Sequence, residues 1–210
     1  MEQEKSQRDM YNRIAGIYDV TIGVGALLRG FSDTGERRKM VALLNLKPGY
    51  RVLEVSVGTG TNLPLLAQGA GPEGTLVGLD ISPGMLTRCR RKLRRWRLAA
   101  DLVEGEAAHL TFADGAFDAV LHFGGINAFG ARKAAIEEMV RVARPDAKIV
   151  ISDEGLPPDR KVSFRTRLVA RSSSLYSSRP PVDLLPPQAK DVHVTWFRGD
   201  ACYLIDFVNT

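Results

Sequence analysis

"RVLEVSVGTGTN", residues 51–62, decides how the rest of the chain is read. A short apolar run carrying one acid, Glu54, gives way to small residues at every second position: Ser56, Gly58 and Gly60. Glycine at such a bend lets the backbone pass close under a ligand, because no side chain intervenes. The pattern predicts a strand, a tight turn and a helix, with the turn facing a nucleotide-like group. Two familiar forms of that turn do not fit. A dinucleotide fingerprint starting at Gly58 needs glycine at position 63, where Leu63 stands, and a phosphate loop needs Gly-Lys-Ser/Thr where Gly60-Thr61-Asn62 stands.

Further apolar runs lie at 75–80, 100–105, 117–123 and 148–154, alternating with helix-like segments at 61–68, 83–98 and 131–143. Ser82-Pro83 opens the second of these helices and Arg144-Pro145 follows the third, both at the expected ends. Short apolar runs alternating with helices predict parallel strands joined by crossover helices, an open doubly wound α/β sheet. The rhythm breaks at the end. Runs 191–197 and 202–208, joined by Arg198-Gly199-Asp200-Ala201, read as an antiparallel hairpin. A chain of 210 residues suits a single domain. Residues 155–190, rich in Pro, Ser and Arg, are expected to form a lid with a helix over 160–177.

Composition narrows the function classes. No apolar run approaches the roughly 20 residues of a membrane span, and the polar start "MEQEKSQRDM" lacks the order of a secretory signal, so a cytoplasmic protein is expected. Cys89 and Cys202 stand far apart and are expected to be buried; His109, His122 and His193 lack zinc-site spacing, so no metal is expected. The net charge of +5 is concentrated in "RCRRKLRRWR", residues 88–97. Met85, Leu86, Cys89, Leu93 and Trp96 fall on one side of that helix and the arginines fill the rest, a basic solvated face. Such a face does not favour nucleic acid as a partner and leaves open a peripheral contact with anionic lipid.

The acid loop of residues 52–63 and "LVGLDISPGML" (76–86), together with "VEGEAAHLTFADGAFDAV" (103–120) and "EEMVRVARPDAKIVISDE" (137–154), resemble the ordered motifs of class I S-adenosylmethionine-dependent methyltransferases. The resemblance covers most of the chain and implies a Rossmann-like seven-stranded sheet with S-adenosyl-L-methionine as cofactor. It also implies residue roles. Glu54 would contact the amino group of the methionine portion, and Gly58 and Gly60 would admit the cofactor. Asp80 would accept the ribose hydroxyls, Ile81 would pack beside the adenine, and Glu106 would stand near the adenine amino group. Ser56 departs from the pattern, which has glycine there. It is expected in ordinary strand dihedrals, with its hydroxyl free to bond the cofactor; a positive φ would instead strain the loop by about 1 kcal/mol or more.

"MYNRIAGIYDV", residues 10–20, resembles the segment preceding the core of ubiquinone/menaquinone C-methyltransferases, which makes Tyr11 and Tyr18 candidates for closing the site from a helical cap over 1–45. Methyl transfer is a direct displacement, so alignment is the main task and a base is optional. "HFGGINAF", residues 122–129, follows the fourth strand and lacks the Asn-Pro-Pro-Tyr/Phe motif of amide-nitrogen methylation. His122 as base, Asn127 as a substrate-orienting group and Asp153 beside Glu154 as a carboxylate are the catalytic candidates. A small lipophilic or aromatic acceptor such as a quinol is the expected substrate. Two alternatives are an enzyme that uses the same cofactor site for non-methylating quinone chemistry and a basic RNA- or membrane-binding protein with a vestigial site.

Overall fold

The computed structural model describes residues 2–29, 33–159, 161–171 and 174–210. Seven strands form one sheet: β1 (Arg51–Val55), β2 (Thr75–Asp80), β3 (Asp101–Glu104), β4 (Phe117–Phe123), β5 (Ala143–Glu154), β6 (Ala189–Phe197) and β7 (Cys202–Asn209). Their order is β3-β2-β1-β4-β5-β7-β6, with β1 to β5 parallel and β7 antiparallel to both β5 and β6. The helices are α1 (Glu2–Ile14), α2 (Tyr18–Arg29), α3 (Asp33–Ala42), α4 (Leu63–Ala70), α5 (Pro83–Trp96), α6 (Arg132–Val142) and α7 (Phe164–Ala170).

The apolar runs are continuous because both faces of the sheet are covered. Alternate residues of one strand enter different cores. Val52, Ala119, Leu121 and Val150 pack with Met40, Leu63, Leu66, Leu86 and Leu93, the buried sides of α3, α4 and α5. Leu53, Val120, Ile149 and Ile151 pack with Ile136, Met139 and Val140 of α6. The order reverses between β1 and β4, so a crevice opens beyond the carboxyl ends of these strands, where open α/β sheets bind ligands.

Local chemistry sets the boundaries. Ser82 caps α5 by accepting from the Met85 N–H at 3.1 Å, with Pro83 in the first turn. The strand expected at 148–154 begins earlier, at Ala143, directly after α6. Pro145 is accommodated because the β4–β5 register shifts between Phe117 and Ala119, and Asp146 takes a φ of +66°. Trp96, expected on the buried side of α5, is exposed at the last position of the helix.

The helix expected over 160–177 is present as α7 and a one-turn 3-10 helix at Ser174–Ser177; positions 160, 172 and 173 lie outside the described residues. The N-terminal helices lie over the crevice instead. Asn12 Oδ1 of α1 accepts from the Gly84 N–H at 2.9 Å and the Ser82 hydroxyl at 2.7 Å, fixing α1 to the start of α5. Asp19 of α2 accepts from the Thr59 hydroxyl at 2.6 Å and from Lys92 at 3.1 Å. Arg37 of α3 pairs with Asp33 at 2.6 Å and donates to Asn62 Oδ1 at 2.7 Å.

Candidate functional site

Two adjoining hollows occupy the crevice. The first, about 400 Å³ counting its open mouth, is lined mainly by apolar groups: Leu79, Ile81, Ala107, Ala108 and Phe129, with Glu106 at its wall. The second, about 430 Å³, is lined by Tyr11, Tyr18, Gly58, Asp80, Met85, Phe123 and Gly124. Gln7, Ser56, Ile81 and Phe129 belong to both, so the two hollows adjoin.

The loop between β1 and α4 forms the floor. β1 ends at Val55, and Ser56 turns into the left-handed region with a φ of +59°. This corrects the expectation of strand dihedrals. The chain must reverse there to bring the Val57 N–H onto the Leu79 carbonyl at 2.9 Å, and a residue with a Cβ bears the strain, about 1 kcal/mol or more. Gly58 and Gly60 also have positive φ, of +55° and +77°. They serve different ends. Gly58 lies on the cavity wall, whereas a Cβ at Gly60 would sit 2.5 Å from Cys89 Sγ. Gly60, read above as a cofactor contact, is not on either wall; it lets the loop pack on α5.

Asp80 is locked to this loop. Its Oδ2 accepts from the Gly58 N–H at 2.8 Å and its Oδ1 from the Ser82 N–H at 2.9 Å. Burial raises the carboxyl's pKa, and the two backbone donors oppose that rise. A carboxylate has about four acceptor positions, so lone pairs remain for a ligand at the cavity wall. Glu54, buried beneath the loop, has its pKa pushed up to about 8 by burial, against the opposing hydrogen bond from Asn62 Nδ2 to its Oε1 at 2.6 Å. Its Oε2 has no hydrogen-bond partner among the described residues, and Glu54 lines neither hollow.

His122, Asn127 and Asp153 do not reach either wall. His122 is fully buried, and burial pushes its pKa down to about 4. Its Nδ1 lies 3.1 Å from the Val55 carbonyl, which can only accept, so Nδ1 carries the proton. Asp153 Oδ2 accepts from the Asn127 N–H at 2.7 Å and the Gly125 N–H at 3.2 Å, and Oδ1 accepts from the Glu154 N–H at 2.8 Å. Asn127 donates to the Glu154 carbonyl at 2.7 Å and accepts from the Tyr203 hydroxyl at 2.8 Å. With their polar groups engaged on protein, Asp153 and Asn127 hold the 124–128 turn in place. The reading of these three as groups facing the reacting atoms is corrected accordingly.

The expected lid does not reach the site. No described residue of 155–190 lines either hollow, whereas Gln7, Tyr11 and Tyr18 do. Gln7 donates from Nε2 to the Ala128 carbonyl, tying α1 to the turn beyond β4. Tyr11 and Tyr18 meet edge to face, with centroids 6.3 Å apart, and burial raises both phenols, Tyr18 to about 12. Gln7 went unnoticed in the sequence, although it stands four residues before Tyr11 and so on the same helical face. Phe123 and Phe129 flank the Gly124-Gly125 pair, and that bracketing was the available sign of a wall.

These groups fit S-adenosylmethionine. The apolar hollow suits a purine, the free lone pairs of Asp80 suit a diol, and the unpartnered Oε2 of Glu54 marks a buried acceptor beside the loop.

Comparison with known proteins agrees with this layout. Residues 52–146 match a family described as a methyltransferase domain. The chain is 35% identical over 155 residues to a demethylmenaquinone methyltransferase of Thermus thermophilus, covering 74% of this chain and 68% of that one. With the protein of the same name from Desulfitobacterium hafniense it is 32% identical over 152 residues, 71% of this chain, and there it spans only 59% of the relative's length. Among solved structures, a SAM-dependent methyltransferase from Aquifex aeolicus superposes with a TM-score of 0.62 at 20% identity, covering 83% of this chain and 90% of that one. The strand order, the acid loop and these relatives together place the chain in the class I S-adenosylmethionine-dependent methyltransferases.

Proposed function

We propose that this protein methylates a small lipophilic acceptor of the quinol type. The observation that carries the reading is the second hollow, where Tyr11, Tyr18, Phe123 and Phe129 present four aromatic side chains beside the Asp80 loop. Flat apolar rings are held well by such walls, which bury large area and favour edge or offset contacts. The name of the relatives, demethylmenaquinone methyltransferase, agrees with a quinone-derived acceptor.

When bound, the cofactor supplies an electrophilic methyl group on a sulfonium. In this reading Asp80 holds the ribose hydroxyls and Ile81 covers the adenine, with Glu106 at its edge. Gly58 and the Ser56 hydroxyl lie against the remainder. Glu54 takes the amino group, whose positive charge favours the ionised carboxylate. Transfer to a quinol ring carbon would leave the carbon–sulfur electron pair on the departing sulfide and would release the ring proton. No strong base is needed, since the electron-rich ring is itself the nucleophile. Tyr11 and Tyr18 stay protonated at neutral pH and can donate to the quinol oxygens, holding the ring while α1 and α2 exclude water. His122, Asn127 and Asp153 act as positioning residues for the strand ends and the 124–128 turn.

The test is a calorimetric titration of S-adenosylmethionine, followed by incubation with a reduced naphthoquinone unsubstituted at one ring carbon and measurement of S-adenosylhomocysteine release and product mass. Release coupled to one added methyl supports the reading. Cofactor binding without release on the quinol, but with release on a polar amine or acid, overturns the acceptor class.

A further inference from the structure

We propose that the ridge formed by α2 and α7 seats the protein on an anionic membrane surface, at the cover of the acceptor hollow. The two helices are in contact. Along them Phe164 is 74% exposed and Val20 66%, and Ile17, Val24 and Leu168 also project into solvent. Large apolar side chains clustered on one surface mark an interaction site, unlike single exposed residues. What covers them is indicated by their surroundings.

The ridge is bordered by cations that have no carboxylate partner among the described residues. Arg91 and Arg95 on α5 and Arg167 and Arg171 at α7 are exposed, and none of the four has a carboxylate at ion-pair distance among the described residues. Helical spacing puts Arg91 and Arg95 on the stripe of Arg88 and Lys92. That stripe borders the ridge, since Lys92 reaches Asp19 of α2 at 3.1 Å and a Cβ on Gly16 would meet the Arg88 guanidinium at 3.2 Å. Apolar side chains at the centre and arginines at the rim match a lipid interface, with the former at the acyl boundary and the latter on phosphates. A nucleic acid would engage the arginines but leave Phe164, Val20 and Leu168 against its backbone. The contact is peripheral, because no helix among the described residues is long and apolar enough to cross a bilayer.

The location gives the contact its purpose. Tyr18, in the first turn of α2, lines the acceptor hollow. A lipophilic acceptor leaving the bilayer beneath the ridge would reach the hollow by displacement of α2, without crossing bulk water. The inference thus rests on the lipophilic acceptor read above, but it is measured without acceptor or cofactor, so the two can fail separately.

The experiment is co-sedimentation of the full chain with vesicles of phosphatidylcholine alone or mixed with phosphatidylglycerol, across a salt series. Native protein is expected to pellet with the mixed vesicles and to be released by salt. R91E/R95E should lower that partitioning by about tenfold or more. F164S/L168S, which leaves the charge unchanged, should lower it several-fold, while both variants keep the native circular dichroism spectrum and cooperative melting as a check of folding. Failure of the native protein to pellet overturns the proposal. So does pelleting that F164S/L168S leaves unchanged, or that single-stranded RNA competes away, since either shows a purely electrostatic surface.

Discussion

The floor of the crevice is built in two ways. At the ends of β1 and β2 the chain offers Ser56, Gly58 and Asp80 to the hollows, while at the ends of β4 and β5 Asn127 and Asp153 bond to protein. Asp80 and Asp153 make the contrast sharp. Both are buried acids at strand ends, both accept two or more backbone N–H groups, and burial raises the pKa of both. Only Asp80 stands on a cavity wall. An acid at a strand end is therefore not a functional residue by position alone; what separates the two is which side of the turn carries the cavity.

The largest expected effect tests that separation. Asp80→Ala should lower S-adenosylmethionine affinity by about 100-fold or more, because hydrogen bonds to a charged acceptor contribute about 1.5–3 kcal/mol each. Asp153→Ala leaves the Gly125 and Asn127 N–H groups buried without acceptors, which costs about 2–3 kcal/mol of stability. Its cofactor affinity, measured by calorimetry below its lowered melting temperature, should change by less than about tenfold. The reverse pattern, in which Asp153→Ala abolishes binding and stays stable, would erase the contrast.

A second pair of buried groups should respond to pH with opposite signs. Glu54 titrates near 4.5 in an ordinary setting and near 8 in the fold, so between these the native state holds more protons than the unfolded chain and stability falls as pH rises. For His122 the ordinary value of 6.5 drops to about 4, so the unfolded chain holds more protons in that window and stability rises with pH. The two slopes oppose each other between about 4.5 and 6.5, so denaturant titrations should show a fall in stability from about pH 6.5 to 8, and Glu54→Gln should remove that fall and uncover the His122 rise below it. In the proposed binding mode the cofactor's amino group lies beside Glu54 and favours its ionised form, so binding S-adenosylmethionine at neutral pH should also release protons. Calorimetry in buffers of different ionisation enthalpy measures that release, and Glu54→Gln should remove it.

The sequence revealed the β1–β2 side far better than the β4–β5 side, for a physical reason. Strands buried on both faces read as continuous apolar runs, and a loop passing under a ligand needs Gly58 at a positive φ, so composition alone exposes both. Beyond β4 the chain turns at Gly124 and Gly125, with φ of +82° and +105°, and that rotation decides where Asn127 points. Two adjacent glycines permit many conformations, so their residue types carry no direction. The lid was misplaced for a related reason. Residues 155–190 have the composition of a lid, but α1 and α2 are held over the crevice by Asn12, Asp19 and Gln7, contacts separated by at least 40 residues in the chain.

Ser56 is where the smallest effect tests the clearest departure from expectation. Its left-handed φ of +59° costs about 1–2 kcal/mol for a residue with a Cβ. Glycine removes that strain but adds freedom to the unfolded chain worth about 0.5–1 kcal/mol. Ser56→Gly should therefore raise stability by about 0.5–1 kcal/mol, a melting shift of about 2 °C for a chain of this size. Ser56→Ala keeps the strain and loses only the hydroxyl, so its stability should match the native protein. Cofactor affinity separates the remaining contributions: an equal loss in both variants assigns a hydrogen bond to the hydroxyl, whereas a gain in Ser56→Gly alone shows that the Cβ hinders the cofactor. If Ser56→Gly and Ser56→Ala melt together, the left-handed turn carries no strain, and the serine is as compatible with the loop as the glycine it replaces.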